Sequence, residues 1–552
     1  MGNNQGATQH HQDKSAIDNQ EINKELDIFY MNSIFILFAV AFIAGAYALM
    51  TTEAGTILLN AVTSFRYTPT VMVILVFVAA PLSVLIGSKS ENYRDMFIIN
   101  IIFAVFLLIL SMFPQALKTP IIMDLPSVLA FGVNLRVDQL TLLMVLAAAL
   151  LWLMAMIYGH NYMILEENNR NRFYFWFLVT YGGVTGALMA NDLLTMFLFF
   201  EIMYLSCYFL VAHNQTGDAL KAGNRYIYMG VVGGLSMLLG ISLLYVYTNT
   251  FIMGDILAPL QAQWGDNSAI LTFAIVVILV GFAIKAAVFP LHFWLPDAHS
   301  SAPSPASAIL SGMVLKVYVF SLMKFLFKVV GIDIIKDIGL HNILPPLAVV
   351  GMIMGSIFAI GQKDIKKILA YSSVAQVGYM ILGIGLISDK GFAASMFHIT
   401  THALMKSALF LSAGAIILQT HKRDIREFQG IGYQMPITMG VFTVGALSMI
   451  GIPGFNGFMS KWYLCIAALD AGKPIFVFMI LVSSFLNAMY YLPIIISAFL
   501  KKSQERENIL VMDKAPANML IPMVIIASGV ILLGFFPQWV MKFVEQGITT
   551  FL

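Results

Sequence analysis

From residue 30 almost to its end the chain repeats apolar stretches, each about as long as a bilayer's hydrocarbon core is thick. A helix needs roughly 20 apolar residues to cross that core. Lipid tolerates only helices and closed barrels, because no water is there to satisfy a loose backbone group. The stretches fall at 30–50, 69–88, 96–113, 137–158, 173–190, 193–212, 226–248, 268–290, 303–328, 344–362, 368–387, 393–419, 436–463, 474–499 and 519–540. The alternating polar–apolar pattern of a membrane barrel is absent. The sequence therefore reads as an all-α polytopic membrane protein with about fifteen transmembrane helices. Composition agrees. Of 552 residues 59% are hydrophobic, with 31 Lys+Arg against 29 Asp+Glu, about half the charged fraction of a globular domain, ~25%. A soluble enzyme cannot expose so little charge. A net charge of +2 offers no surface for nucleic acid.

Residues 1–27 are polar and carry Lys14 and Lys24 against Asp13, Asp18, Glu21, Glu25 and Asp27. They lack the basic start and apolar core of a secretory signal, so they read as a solvated tail, His10 and His11 included. Numbering the spans one to fifteen, loops after even spans hold roughly twice the Lys and Arg of loops after odd ones, Lys328 counted with the odd ones. Lys89, Arg94, Arg170, Lys363, Lys366 and Arg423 are among them. This bias predicts a cytoplasmic N-terminus and, for an odd number of spans, a C-terminus on the outer side. Cys207 and Cys465 lie in apolar runs and read as small core hydrophobes, without a metal cluster or a disulfide framework.

The informative residues are ionisable groups inside spans, since a charge at mid-bilayer costs at least ~3 kcal/mol. Glu201, Lys285, Lys316 and Lys406 lie deep in apolar runs, and Lys461 lies near the end of one. Lys324 and Lys328 fit snorkelling from a helix end, and Lys461 fits it in part. A lysine ammonium in water titrates near ~10.4, so neutralising it at pH 7 costs about 4.6 kcal/mol. Burial supplies a penalty of that size. A carboxylate at ~4 Å returns about 4 kcal/mol at an effective dielectric of ~20. With the two effects balanced, moving Glu201 towards or away from a buried lysine would toggle its charge.

His398, His402 and Lys406 are spaced four apart and drift only ~80° around a helix, forming one polar stripe. Neutral histidine both donates and accepts, which suits a proton relay; three separately bonded core groups are the alternative. No further His or Cys nearby completes a zinc site. Two spans are interrupted by proline. Pro290 frees the carbonyl of Ala286, beside Lys285; Pro453, in GIPGFNGF, frees that of Met449, ahead of Lys461. Paired interruptions in the two halves of a chain point to a transport site in an inverted-repeat carrier. GVVGGLSMLLG (230–240) is glycine-rich but intramembrane, and reads as close helix packing.

Four segments, KAAVFPLHFWLPDAHSSAPSPASAILSGMVLK (285–316), QKDIKKILAYSSVAQVGYMILG (362–383), HITTHALMKSALFLSAG (398–414) and GIPGFNGFMSK (451–461), resemble the antiporter-like subunits. These are shared by respiratory complex I, membrane-bound hydrogenases and Mrp-type sodium/proton antiporters. The resemblance runs from about residue 69 to the C-terminus. It implies a fourteen-helix core, 69–552, with two inverted five-helix repeats, about 137–328 and 344–499, and two broken helices. The helix and loop of 28–68 would be additional. It also implies a charged axis: Glu201 paired with the broken-helix Lys285, Lys316 on the following helix, the stripe His398, His402 and Lys406, and Lys461 as exit residue. The chain stops at Leu552 with no long lateral helix after the last span, which argues against the largest subunit types.

The expectation is a subunit, translocating protons or alternatively sodium, of a multisubunit complex in an energy-transducing inner membrane. Its partners would be other integral membrane subunits and a peripheral redox module. The chain has neither Cys clusters for iron–sulfur centres nor a nucleotide-binding glycine loop, so no cofactor is expected in it. The alternatives are an Mrp-type antiporter subunit without redox chemistry, a structural subunit whose charges form static ion pairs, and a divergent role such as energising uptake of inorganic carbon.

Overall fold

The computed structural model describes residues 67–551 apart from 127, 129–130, 167–168 and 502–512. The tail and the expected span 30–50 lie outside these residues. The described chain is almost entirely helical. The first helices are α1 (Thr68–Gly87) and α2 (Glu91–Ala116). A short antiparallel hairpin follows, β1 (Ile121–Leu125) with β2 (Val133–Val137), in register Ile121 to Val137. The all-α expectation omitted it because it lies between spans and carries no spanning signal. Next come α3 (Gln139–Leu165), α4 (Arg170–Met189), α5 (Leu193–Val211), α6 (Gly217–Thr248) and α7 (Met253–Lys285). After the short α8 (Leu295–Ser301), one helical run combines α9 (Ser304–Ile309) and α10 (Leu315–Lys324) with π-helical turns at Leu310–Val314 and Phe325–Val330. The remainder is α11 (Ile332–Ile338), α12 (Leu340–Ile360), α13 (Ile365–Gly385), α14 (Asp389–Thr420), α15 (Ile431–Gln434), α16 (Pro436–Ile450), α17 (Asn456–Asp470), α18 (Ile475–Leu500), α19 (Ala517–Phe535) and α20 (Gln538–Phe551).

Eleven of these helices are long and apolar enough to cross a membrane. Three expected spans take another form. The stretch 303–328 is divided by a π-turn, 436–463 is broken into α16 and α17, and 173–190 is a helix of more modest hydropathy. Polar caps set where the helices begin. Asp138, Asp192 and Asp364 each accept from a backbone N–H in the first turn of α3, α5 and α13. Burial separates inner from outer helices. In its most apolar stretch α13 is 94% buried and α14 83%, whereas α18 is 28% buried and shows most of its surface to the surroundings. Helices α13 and α14 are thus the core of the second half, and Ser372, Ser373, Gln376, His398, His402 and Lys406 along them are enclosed by protein.

Two groups counted as loop charges are interior. Arg94 is fully buried, bonded to Asp95 and to Asn171 (2.7 Å) and lying over the Tyr174 ring. Lys366 is buried with Nζ donating to the Ala302 carbonyl at 2.9 Å. Hydropathy cannot register such pairing, which is what permits the burial.

Candidate functional site

The first break sits at the C-terminus of α7, and it falls earlier than Pro290 alone dictates. The helix ends at Lys285. Val288 N–H returns to Ala283 O (2.8 Å) and Ala287 N–H to Ile284 O (3.2 Å), a Schellman closure with Ala287 at φ +53°. Glycine normally takes that position, and for a residue with a Cβ the left-handed region costs roughly 1–2 kcal/mol. A side chain also reaches this break: Trp294 Nε1 donates to the Ile284 carbonyl at 2.9 Å. Lys285 therefore stands at a helix C-terminus, where backbone carbonyls favour a cation. Its Nζ reaches Glu201 Oε1 at 2.8 Å and lies 4.3 Å from the centroid of Tyr204.

Glu201 projects from α5 towards Gly234 on α6. A Cβ at Gly234 would stand 2.6 Å from Glu201 Oε1, and one at Gly240 2.5 Å from Ala274 O. The glycine stretch does serve close packing as expected. Gly234 has a second part, room for the carboxylate, which the sequence pattern does not reveal because a glycine carries no charge to flag it. Lys285 is fully buried, while the Glu201 side chain keeps 28% of its surface exposed.

Lys316 follows the π-turn Leu310–Val314, a feature often found at functional sites, and its Nζ donates to the Ser311 carbonyl within that turn. Lys406 donates to Leu369 O at 2.7 Å and to Ser372 Oγ. Ser311 Oγ and Ser373 Oγ are 2.8 Å apart, so Lys406 ends directly on α13, while the π-turn that holds Lys316 touches the next serine of that helix through Ser311. Both are buried, and among the described residues neither forms an ion pair with a carboxylate. On α14, the rings of His398 and His402 lie parallel with centroids 5.8 Å apart. His398 Nδ1 meets Ser460 Oγ at 2.9 Å, and its ring stacks on Tyr379.

The second break separates α16 from α17. Gly451 (φ +95°) closes α16, with Ile452 N–H on Leu447 O at 3.1 Å. Lys461, one turn into α17, turns back across the break. Its Nζ donates to Met449 O, Ile450 O and Ser484 Oγ, each at 2.9 Å, and it is 5% exposed. The partial snorkelling reading is thus replaced: the amine satisfies the carbonyls that the break frees, Met449's among them as the sequence predicted. Asn487 shares Met449 O at 3.2 Å.

Lys324 and Lys328 also depart from the snorkelling expectation. Lys324 is buried and donates to Leu188 O (2.5 Å) and Ala190 O (3.2 Å), at the end of α4. Lys328 and Arg136 both lie 3.4 Å from the buried Asp138. An aspartate that caps α3 thus becomes the counter-charge for a residue 190 positions away, and no local pattern reveals that partnership.

Two interrupted helices, each with a buried lysine at its break, and a polar stripe between them define a polytopic membrane protein of the broken-helix type. The chain belongs to the NADH:quinone oxidoreductase/Mrp antiporter family, whose transmembrane signature matches residues 190–487. Residues 125–174 match the signature described as the N-terminus of chain 5 of NADH-ubiquinone oxidoreductase (complex I). The chain is 36% identical over 430 residues to the N-type subunit of NADH-quinone oxidoreductase from Desulforudis audaxviator, covering 75% of this chain and 84% of that one. It is 29% identical over 420 residues to the D-type subunit of the Na(+)/H(+) antiporter from Alkalihalophilus pseudofirmus, covering 75% and 83%. Among solved structures it resembles a chain of the membrane-bound sulfane sulfur reductase, an archaeal respiratory membrane complex. The TM-score there is 0.79 at 27% identity, over 87% of this chain and 97% of that one.

Proposed function

We infer that the chain is a proton-translocating subunit of a larger membrane complex. Protons pass along Glu201, Lys285, Lys316, Lys406, His402, His398 and Lys461 with intervening water. The observation that carries this reading is the setting of Lys316 and Lys406. A static structural pair needs a counter-ion to offset desolvation, and these two amines have only neutral oxygens around them. A buried amine held only by neutral oxygens favours a proton that comes and goes. The breaks at Pro290 and Pro453 then belong to two inverted repeats, about 137–328 and 344–499, within a 69–552 core, with residues 1–27 as a cytoplasmic tail.

Glu201 supports partnership with other membrane subunits. Its carboxylate is partly exposed, Leu205 one turn on along α5 is exposed too, and α6, which it meets at Gly234, exposes Tyr228, Val232 and Leu235. A carboxylate at that depth is costly against lipid, and a neighbouring subunit would cover it. Similarity to a quinone oxidoreductase subunit and to a respiratory sulfur reductase complex favours a redox-driven complex. Sodium in place of protons remains the Mrp-type reading, which the antiporter relative supports. The test is proton transport by the purified complex in liposomes, comparing the native chain with Lys406→Ala. Loss of transport with intact assembly is the expected result, and retained transport overturns the relay. Copurifying flavin or iron–sulfur proteins would identify the redox form, and several small hydrophobic subunits the Mrp form.

A further inference from the structure

Between the lysines and the second break, helix α13 carries one more polar side chain, Gln376. It is fully buried, and neither its Oε1 nor its Nε2 has a hydrogen-bond partner among the described residues. The same holds for both ring nitrogens of His402 and for Nε2 of His398. Buried polar groups are almost always bonded, to protein or to ordered water. Five such atoms on two facing helices mark a place for buried water, which bonds polar groups of this kind.

The register of α13 against α14 places Gln376 there. These antiparallel helices meet at several fixed points. Lys406 bonds to Ser372 Oγ, Ser395 Oγ to Met380 O at 2.9 Å, and His398 stacks on Tyr379 with centroids 5.5 Å apart. One turn along each helix from the Lys406–Ser372 contact brings His402 opposite Gln376. The spacing 372, 376, 379 keeps Ser372, Gln376 and Tyr379 on one face of α13. That face runs from Ser372, which holds Lys406, to Tyr379, whose ring lies 5.0 Å from Lys461 Nζ. Seven residues of helix rise by about 10 Å, too far for one hydrogen bond. Gln376 stands in the middle of that gap.

We propose that Gln376 is a positioning residue of the relay, holding the waters that carry a proton between Lys406 and the His402–His398 pair. This rests on the relay reading above. The amide accepts at Oε1 and donates at Nε2, so it orients a water on either side and can turn over to reset the chain. It has no proton to give and does not take one, so it bridges the gap without becoming a trap. The Lys406 ammonium releases its proton to the first water, a proton from the last water joins a ring nitrogen of His402, and the Lys461 amine is the next base beyond His398. No bond other than O–H and N–H changes.

The experiment compares Gln376→Leu, Gln376→Ala and Gln376→His in the intact complex, purified and placed in liposomes. Proton flux is followed with an entrapped pH dye under an imposed membrane potential or sodium gradient. Assembly is scored on a native gel, and rates are measured in H2O and D2O. Leu fills the site with apolar atoms and is expected to lower flux at least tenfold, with a larger solvent isotope effect. Ala admits water in place of the amide and should transport faster than Leu. His, which can donate and accept, should stay within about threefold of the native rate. A packing role predicts the reverse order, since Ala leaves a cavity and Leu does not. Native flux with Leu, or Ala no faster than Leu, overturns the proposal. If the Leu variant does not assemble, Ala and His decide it, with an Ala variant slower than His required. Lys406→Ala is measured alongside: its retained flux would refute the relay itself, whereas lost flux there with native flux in Gln376→Leu refutes only the role of Gln376.

Discussion

Gly234→Ala isolates the coupling between Glu201 and Lys285 without removing either charge. The added Cβ would lie 2.6 Å from Glu201 Oε1, whereas an ordinary contact is no closer than about 3.3 Å. The carboxylate is the free end of a flexible side chain, so it gives way, by roughly 0.7 Å. If that displacement lengthens the 2.8 Å contact with Lys285 Nζ to about 3.5 Å, the Coulomb attraction at an effective dielectric of ~20 falls from about 6 to about 5 kcal/mol. A loss of about 1 kcal/mol is a five- to tenfold change in the equilibrium between paired and separated states, and the weakened charged hydrogen bond adds to it. Helix propensity runs the other way, since Ala is better than Gly inside a helix by about 1 kcal/mol. The variant is thus expected to assemble at native levels and to transport with an altered rate and pH profile. Gly254→Ala on α7 is the control, because a Cβ there meets nothing within 4 Å. Transport by Gly234→Ala indistinguishable from native at every pH would refute the claim that this distance governs the lysine.

Two further outcomes follow from the geometry. Lys461→Met keeps most of the side-chain volume but removes the donor to Ile450 O, and Asn487 remains for Met449 O. One orphaned carbonyl should cost about 1–3 kcal/mol and lower the melting temperature of the detergent-purified complex, while transport is lost. Native transport would end its role as exit residue. His213, just beyond α5, is buried against Phe173 and has no ring-nitrogen partner among the described residues. Burial, and then the nearby Arg172, hold its imidazole down to about 4. An unfolded histidine protonates below ~6.5 while the folded one stays neutral, so stability should fall as pH drops from ~6.5 towards 4, by up to about 3 kcal/mol. His213→Leu should flatten that part of the melting-temperature profile, and an unchanged slope would refute the assignment.

The ionisable groups inside spans were legible in the sequence because lipid makes them conspicuous. Glu201, Lys285, Lys316, Lys406 and Lys461 each interrupt an apolar run, and the His398–His402–Lys406 spacing needs only helical geometry to become a stripe. The interruptions at Pro290 and Pro453 were legible for the same local reason, since proline removes a donor wherever it stands. Where the helices actually end was not. Lys285 became a terminal residue because Ala287 took a left-handed conformation and Trp294 capped Ile284, and those partners meet only after the chain has turned.

Partner choice belongs to the folded molecule. Asp138 met Lys328 across 190 residues, Lys461 doubled back over its own break, and Gly234 made space for a carboxylate on another helix. Gln376, uncharged and inconspicuous along the chain, came to be buried without a protein partner on the α13 face that carries Ser372 and Tyr379. Hydrophobicity and helical periodicity act over a few turns, so the order of residues suffices to find spans and the charges inside them. Which charge faces which, and where water can stand between them, depends on distances between helices that are far apart in sequence, and those exist only once the bundle has packed.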